Sequence, residues 1–170
     1  YYPEDTFSFR ELRRGSYLEL YFVGDINDSR KGFSILVEAL RLLDEETIKR
    51  IRLKILGCSH TELEKRFHGL ESLGVTCLGI SYSEIDQATY YNQADWLICP
   101  SMQDNSPNTI GEAHMCGLPV VTIKGTGSAE MISSGLNGLI VDDADLVFSL
   151  SQAIERLERV TEDNRRRISI

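Results

Sequence analysis

The 170-residue sequence is short of everything that marks a membrane span, a metal site or a nucleic-acid surface. Its apolar runs, such as Trp96-Leu97-Ile98-Cys99 and Leu118-Pro119-Val120-Val121, fall far below the roughly 20 residues that cross a bilayer, and no signal-peptide pattern opens it. A soluble domain is expected. Histidine is scarce: His60, His68 and His114 include no pair at the spacing of a helical zinc site, so no metal centre is expected. The cysteines Cys58, Cys77, Cys99 and Cys116 contain no Cys-x-x-Cys pair and three sit in apolar segments, which reads as buried free thiols in a reducing compartment. Lys and Arg number 18 against 26 Asp and Glu, and the net charge of -8 argues against a nucleic-acid partner, because phosphate backbones are held by clustered cations. Neither a Walker A loop nor Gly-x-Gly-x-x-Gly is present, so neither ATP hydrolysis nor a nicotinamide cofactor is indicated.

What is present is an alternation. With 42% hydrophobic residues the chain can bury one sizeable core, and one domain is expected. Residues 1–16 mix Pro, aromatics and charges without a period and read as a linker or strap, leaving 17–170 as the domain. Apolar runs of strand length at 18–23, 52–56, 75–78, 96–99, 119–123 and 139–141 are separated by stretches of helix length at 33–43, 61–73, 83–93, 106–115, 128–134 and 145–159. Gly74 is expected to cap the second helix in a left-handed conformation. This pattern predicts an α/β fold, a doubly wound Rossmann-like parallel sheet of about six strands with helices on both faces. Such sheets bind ligands beyond the carboxyl ends of their strands, where the strand order reverses.

Three loops at those ends carry chemistry. The first, Gly24 to Gly32, sets Arg30 and Lys31 at the start of an amphipathic helix, where amide N–H groups and the helix dipole favour an anion. The same pair also fits an ordinary solvated turn. The second places Asp104 in a loop and Glu112 on the following helix, so that both can face one ligand; ionised carboxylates suit sugar and ribose hydroxyls because each accepts several O–H bonds. Asp104 as a cap and Glu112 as a surface residue is the competing reading, yet Glu112 lies between Ile110 and Ala113 and near a helix C-terminus, where an anion is disfavoured. The third, Gly125-Thr126-Gly127-Ser128, allows close backbone approach or is simply a turn before a capped helix.

Taken in order, these segments resemble the C-terminal, donor-binding domain of GT-B glycosyltransferases, specifically glycosyltransferase family 4. The resemblance spans about 17–159 and rests on Phe22-Val23-Gly24 with Arg30-Lys31-Gly32-Phe33, then Leu56-Gly57, Leu78-Gly79, Ala94-Asp95, Cys99-Pro100-Ser101, Asp104 to Glu112, Cys116-Gly117-Leu118-Pro119-Val120-Val121 and Gly135-Leu136-Asn137-Gly138-Leu139.

The resemblance implies a retaining, metal-independent transfer of a sugar from a nucleoside-diphosphate donor, a UDP- or GDP-sugar, to an acceptor hydroxyl. It implies no further cofactor. Glu112 would hold the ribose hydroxyls and Asp104 the transferred sugar. Arg30 and Lys31 would clamp the diphosphate together with Gly24 and the amides of Asn108 and Thr109, and Leu78-Gly79 would lie against the base. The family's usual Glu is Asp104 here, Asn105-Ser106-Pro107-Asn108 replaces its glycine-rich segment, and Asp25 stands where it commonly has Arg. These departures keep two alternatives open, a non-catalytic nucleotide-sugar-binding protein and an epimerase of the same fold. The resemblance further implies an N-terminal acceptor domain that is absent from this chain, which would bring a glycan or lipid-linked acceptor. It also implies a cytoplasmic setting, at the inner membrane face if that domain attaches peripherally, and an isolated domain without turnover.

Overall fold

The computed structural model describes residues 17–66, 73–80, 83–103, 107–141 and 145–159; the proposed strap at 1–16 lies outside them. Six strands, β1 (Leu18–Val23), β2 (Ile51–Leu56), β3 (Gly74–Cys77), β4 (Trp96–Cys99), β5 (Val120–Ile123) and β6 (Gly138–Val141), form one parallel sheet in the order β3-β2-β1-β4-β5-β6. The helices are α1 (Phe33–Arg41), α2 (Glu45–Lys49), α3 (His60–Arg66), α4 (Glu84–Gln93), α5 (Asn108–Met115), α6 (Gly127–Glu130) and α7 (Leu146–Arg159), and a 3-10 turn at Ser29–Lys31 precedes α1. None of them is long and apolar enough to cross a membrane.

Alternation along the strands feeds two cores. Leu18, Leu20 and Phe22 of β1, with Trp96 and Ile98 of β4, face a cluster closed by Leu36, Val37 and Leu40 of α1 and Leu150, Ile154 and Leu157 of α7. Tyr21, Leu97 and Cys99 face the opposite side, where Ala88 and Tyr91 of α4 and Ile110 and Ala113 of α5 cover them. The central strands are buried on both faces, as a doubly wound sheet requires. All four cysteines are buried and free; the Cys58 and Cys77 sulfurs lie 3.3 Å apart, and burial pushes the Cys58 thiol up to about 12.

Several of the short motifs have structural jobs. Asp95 ties the entry of β4 to β1, its carboxylate accepting from the Glu19 amide (2.9 Å) while its own amide donates to the Glu19 carbonyl (2.8 Å). Gly117 takes a left-handed conformation after α5, and the Leu118 amide returns to the Ala113 carbonyl at 2.8 Å. Asn137 braces the turn before β6 by accepting from the Ser133 amide (2.7 Å) and donating to the Met131 carbonyl (3.1 Å).

Two expectations need correction. Gly74 has no positive φ: it opens β3, and its missing side chain makes room for Arg52, whose Cδ would lie 2.2 Å from an added Cβ. The segment between α1 and β2 holds an additional helix, α2, whose Asp44 cap accepts from the Thr47 amide at 2.7 Å.

Gly32 joins two loops. Its φ is +69°, and an added Cβ would meet the Pro100 carbonyl oxygen at 2.0 Å, so the loop after β1 sits directly on the loop after β4. The Met102 amide adds a 2.7 Å bond to the Arg30 carbonyl across the same seam. Gly32→Ala is therefore expected to destabilise the chain by about 2–4 kcal/mol, from left-handed strain plus a clash with backbone, as read from urea unfolding midpoints.

Candidate functional site

The strand order reverses between β1 and β4, and the loops that follow these two strands meet at their carboxyl ends. Beyond β1 the backbone continues its ladder through glycines: the Gly24 amide donates to the Leu56 carbonyl (2.9 Å) and the Gly57 amide to the Gly79 carbonyl (2.9 Å). Gly57, at φ +112°, is pressed so closely on Gly24 that an added Cβ would lie 2.4 Å from the Gly24 oxygen. Among the described residues nothing stands within 4 Å of where a Gly79 side chain would begin, so its backbone faces open space beside half-buried Leu78. A cleft of about 280 Å³ opens here, lined by Gly24, Asp25, Gly57, Glu62, Ile80 and Gln87 together with Val23 and Leu56.

The two basic residues diverge. The stem of Lys31 lies along Gly24, with Cγ 3.3 Å from an added Cβ, at the lip of the β1 end. Arg30 turns onto Asp28, donating from Nε at 2.9 Å and from a terminal nitrogen at 2.7 Å, while its side chain stays 65% exposed. This bond to Arg30 is also the main cause that holds the Asp28 carboxyl below the usual carboxylate range. The sequence did contain the signal, an Asp two residues before Arg in a turn, since the Asp28 side chain also caps the Arg30 amide.

Across the switch point, Pro107 precedes α5 and, among the described residues, no side chain caps its amides, so the N-terminal turn at Asn108 and Thr109 presents the positive end of the helix dipole. Glu112 follows one turn later. It is half-buried, and its Oε2 accepts from the Tyr91 hydroxyl of α4 at 3.0 Å. Burial raises its pKa, the Tyr91 bond pulls it back down, and the Glu84 charge adds a smaller upward push. Tyr91 packs edge-on against Tyr21 of β1, with centroids 5.3 Å apart and planes at 70°. Sequence reasoning missed Tyr91 and Tyr21; Tyr91 falls three positions after Ala88 on the buried face of α4, which marks it as core but not as a partner of Glu112. Asp104, with Asn105 and Ser106, lies outside the described residues.

The sheet order 3-2-1-4-5-6, with a cleft beyond β1 and β2 and the start of α5 beyond β4, is that of a doubly wound, Rossmann-like domain. The chain belongs to the family of glycosyl transferases group 1, whose family model matches residues 18–159. Among curated proteins it is similar to the Vi polysaccharide biosynthesis protein VipC/TviE of Salmonella typhi, 33% identical over 141 residues, 82% of this chain and 23% of that protein. Among solved structures it is similar to the C-terminal domain of a glycosyl transferase group 1 family protein (LpcC) from Francisella tularensis, with TM-score 0.76 and 19% identity over 98% of this chain and 91% of that one. Anabaena Alr3699/HepE, solved in complex with UDP-glucose, shares the fold at TM-score 0.69 and 21% identity over 90% of this chain and 42% of that one. The chain spans 23% to 34% of the length of the curated relatives it matches. It therefore has the fold of the C-terminal half of GT-B glycosyltransferases.

The raised pKa of Glu112 has a stability consequence. A carboxyl whose folded-state pKa lies above its unfolded value costs stability while ionised, and the cost fades as pH falls through the raised value. Glu112→Gln keeps an acceptor for Tyr91 and removes the charge, so it is expected to raise the Tm of the ligand-free chain at neutral pH, by up to about 3 °C. Calorimetric scans along a pH series should show the two Tm values converging in acid.

Proposed function

We propose that this domain binds the nucleoside-diphosphate part of a sugar donor and that the protein it belongs to transfers the sugar, with retention and without a required metal, to a hydroxyl of a glycan or lipid-linked acceptor. The observation that carries the reading is the half-buried Glu112 carboxylate, held at the switch point by Tyr91. An ionisable group kept in a costly position at the switch point is what hydroxyl recognition requires. Lys31 at Gly24 and the uncapped start of α5 supply positive potential for the diphosphate, where leaving-group charge develops during transfer. The base would lie near Leu78, Gly79 and Ile80, and Asp104 would approach the transferred sugar. UDP-glucose bound to the Anabaena protein of the same fold supports a uridine donor class. Transfer needs a second domain to close the cleft and bring the acceptor, so the 170-residue chain binds donor without turnover.

One observation favours a second reading, binding without transfer. Arg30, the cation nearest to the position where the family commonly has Arg, is engaged with Asp28, and Asp25 lines the cleft. Incubating the full-length protein with donor separates the two: released sugar or glycosylated acceptor supports transfer, and donor bound but unchanged supports the second reading.

The donor site is tested by calorimetry with UDP, GDP, ADP and their glucose conjugates on wild type, Glu112→Ala and Lys31→Ala. Binding of one nucleotide class is expected, weakened about tenfold or more by each substitution, since each removes a charge-assisted contact. Absence of binding by any of them would overturn the reading.

A further inference from the structure

The hydroxyl of Tyr91 occupies one oxygen of the residue proposed to hold the ribose. Resting on that proposed function, we infer that Tyr91 is a positioning residue that orients the Glu112 carboxylate and keeps it ionised, so that its remaining lone pairs accept the hydroxyls of a ribonucleotide in preference to a 2′-deoxyribonucleotide. Its own placement is rigid. Tyr91 is 1% exposed, and its ring is wedged against Tyr21, which in turn meets the ring of Tyr90 at 6.1 Å. With the ring fixed, the phenolic proton can reach Glu112 Oε2 in one direction, and the plane of the carboxylate follows. Burial, and after it the Glu112 charge, pushes the Tyr91 phenol well above its ordinary range, so it serves as a donor at every working pH.

Among the described residues, the titratable groups that bear on Glu112 are Tyr91 and, more remotely, Glu84 of α4, and the buried hydroxyl of Tyr21 on β1 lies within its field. The sequence of β5, Val-Val-Thr-Ile, brings no charge. No cation appears among the causes that shift Glu112, and hydrogen bonding from Tyr91 is the one that opposes burial. Removal of the hydroxyl would thus turn the carboxylate loose and make it easier to protonate, and a protonated carboxyl accepts ribose hydroxyls poorly.

The test measures binding of UDP and GDP and of their 2′-deoxy counterparts, from about pH 5 to about pH 8, for wild type, Tyr91→Phe, Glu112→Gln and the double variant. Tyr91→Phe is expected to weaken the ribonucleotide about five- to tenfold, to shrink the preference over the deoxy form, and to move the acidic limb of binding to higher pH. Added to Glu112→Gln it should cost less than about twofold further, because the two act as one unit. A Tyr91→Phe chain with wild-type affinity, selectivity and pH profile would overturn the inference while leaving the donor site standing, provided Glu112→Ala still weakens binding. An equal loss in both backgrounds would also overturn it, since that marks a packing effect. If no nucleotide binds wild type, the donor reading fails and the inference with it. Should Tyr91→Phe not fold, replacing the tyrosines by 3-fluorotyrosine asks the same question without removing an atom from the contact. The more acidic phenol should lower the pKa of the Glu112 carboxyl in an NMR titration, and an unmoved value would refute the role.

Discussion

In a parallel sheet wound in two directions from its middle, the crossovers leave on opposite faces, and the two central strands end without a helix bridging them. Here those strands are β1 and β4. The gap at their carboxyl ends is a geometric necessity of the winding, and the rest of the site exploits it. Gly32 and Pro100 join the loops after β1 and β4 by backbone contact, and the ends of β1, β2 and β3 line the cleft beside them. A substitution in either of the joined loops propagates to the other, because they share atoms at van der Waals limits and have no room to adjust independently.

The same winding explains the electrostatics. The net charge of -8 would oppose the proposed anionic donor at long range, so attraction would have to be local and short-ranged. The α5 terminus and Lys31 would act within that range, while Arg30, 65% exposed, is paired with Asp28. Across the switch point, no cation among the described residues shifts Glu112; a neutral phenol stabilises its charge instead. A carboxylate held by a neutral donor keeps its full charge for a ligand, whereas one in an ion pair would not.

Much of the fold was legible because it rests on patterns that survive without coordinates. The run Leu18 to Val23 reads as a strand and proves to be buried on both faces, and Phe33, Leu36, Val37 and Leu40 fall on one helical stripe that the structure packs inward. α2 was not legible, since five residues are too few to show a stripe and its existence depends on the Asp44 cap. Gly74 misled because a glycine after a helical stretch suggests a cap, while its actual reason is the Arg52 side chain on the neighbouring strand. Glu112, Lys31 and the α5 start could be named as candidates by residue type and position, and the structure places them at the carboxyl ends of β1 and β4. The partners were not legible: which way Arg30 turns is a rotamer choice settled by Asp28, and the Tyr91 contact requires knowing that α4 lies beside α5.

α7 has a bearing on how the chain reaches this state. It packs on α1 and β6, its Leu150, Ile154 and Leu157 completing the cluster that contains Leu36, Val37 and Leu40, and Glu158 meets Arg50 at the start of β2 with a 2.7 Å ion pair. The first β-α unit, which carries the Gly24 to Gly32 loop, is therefore covered by an element made more than a hundred residues later. During synthesis the apolar stripe of α1 waits uncovered until residues 146–159 have left the ribosome, so the Gly24 to Gly32 loop is among the first parts of the domain made and among the last to become rigid.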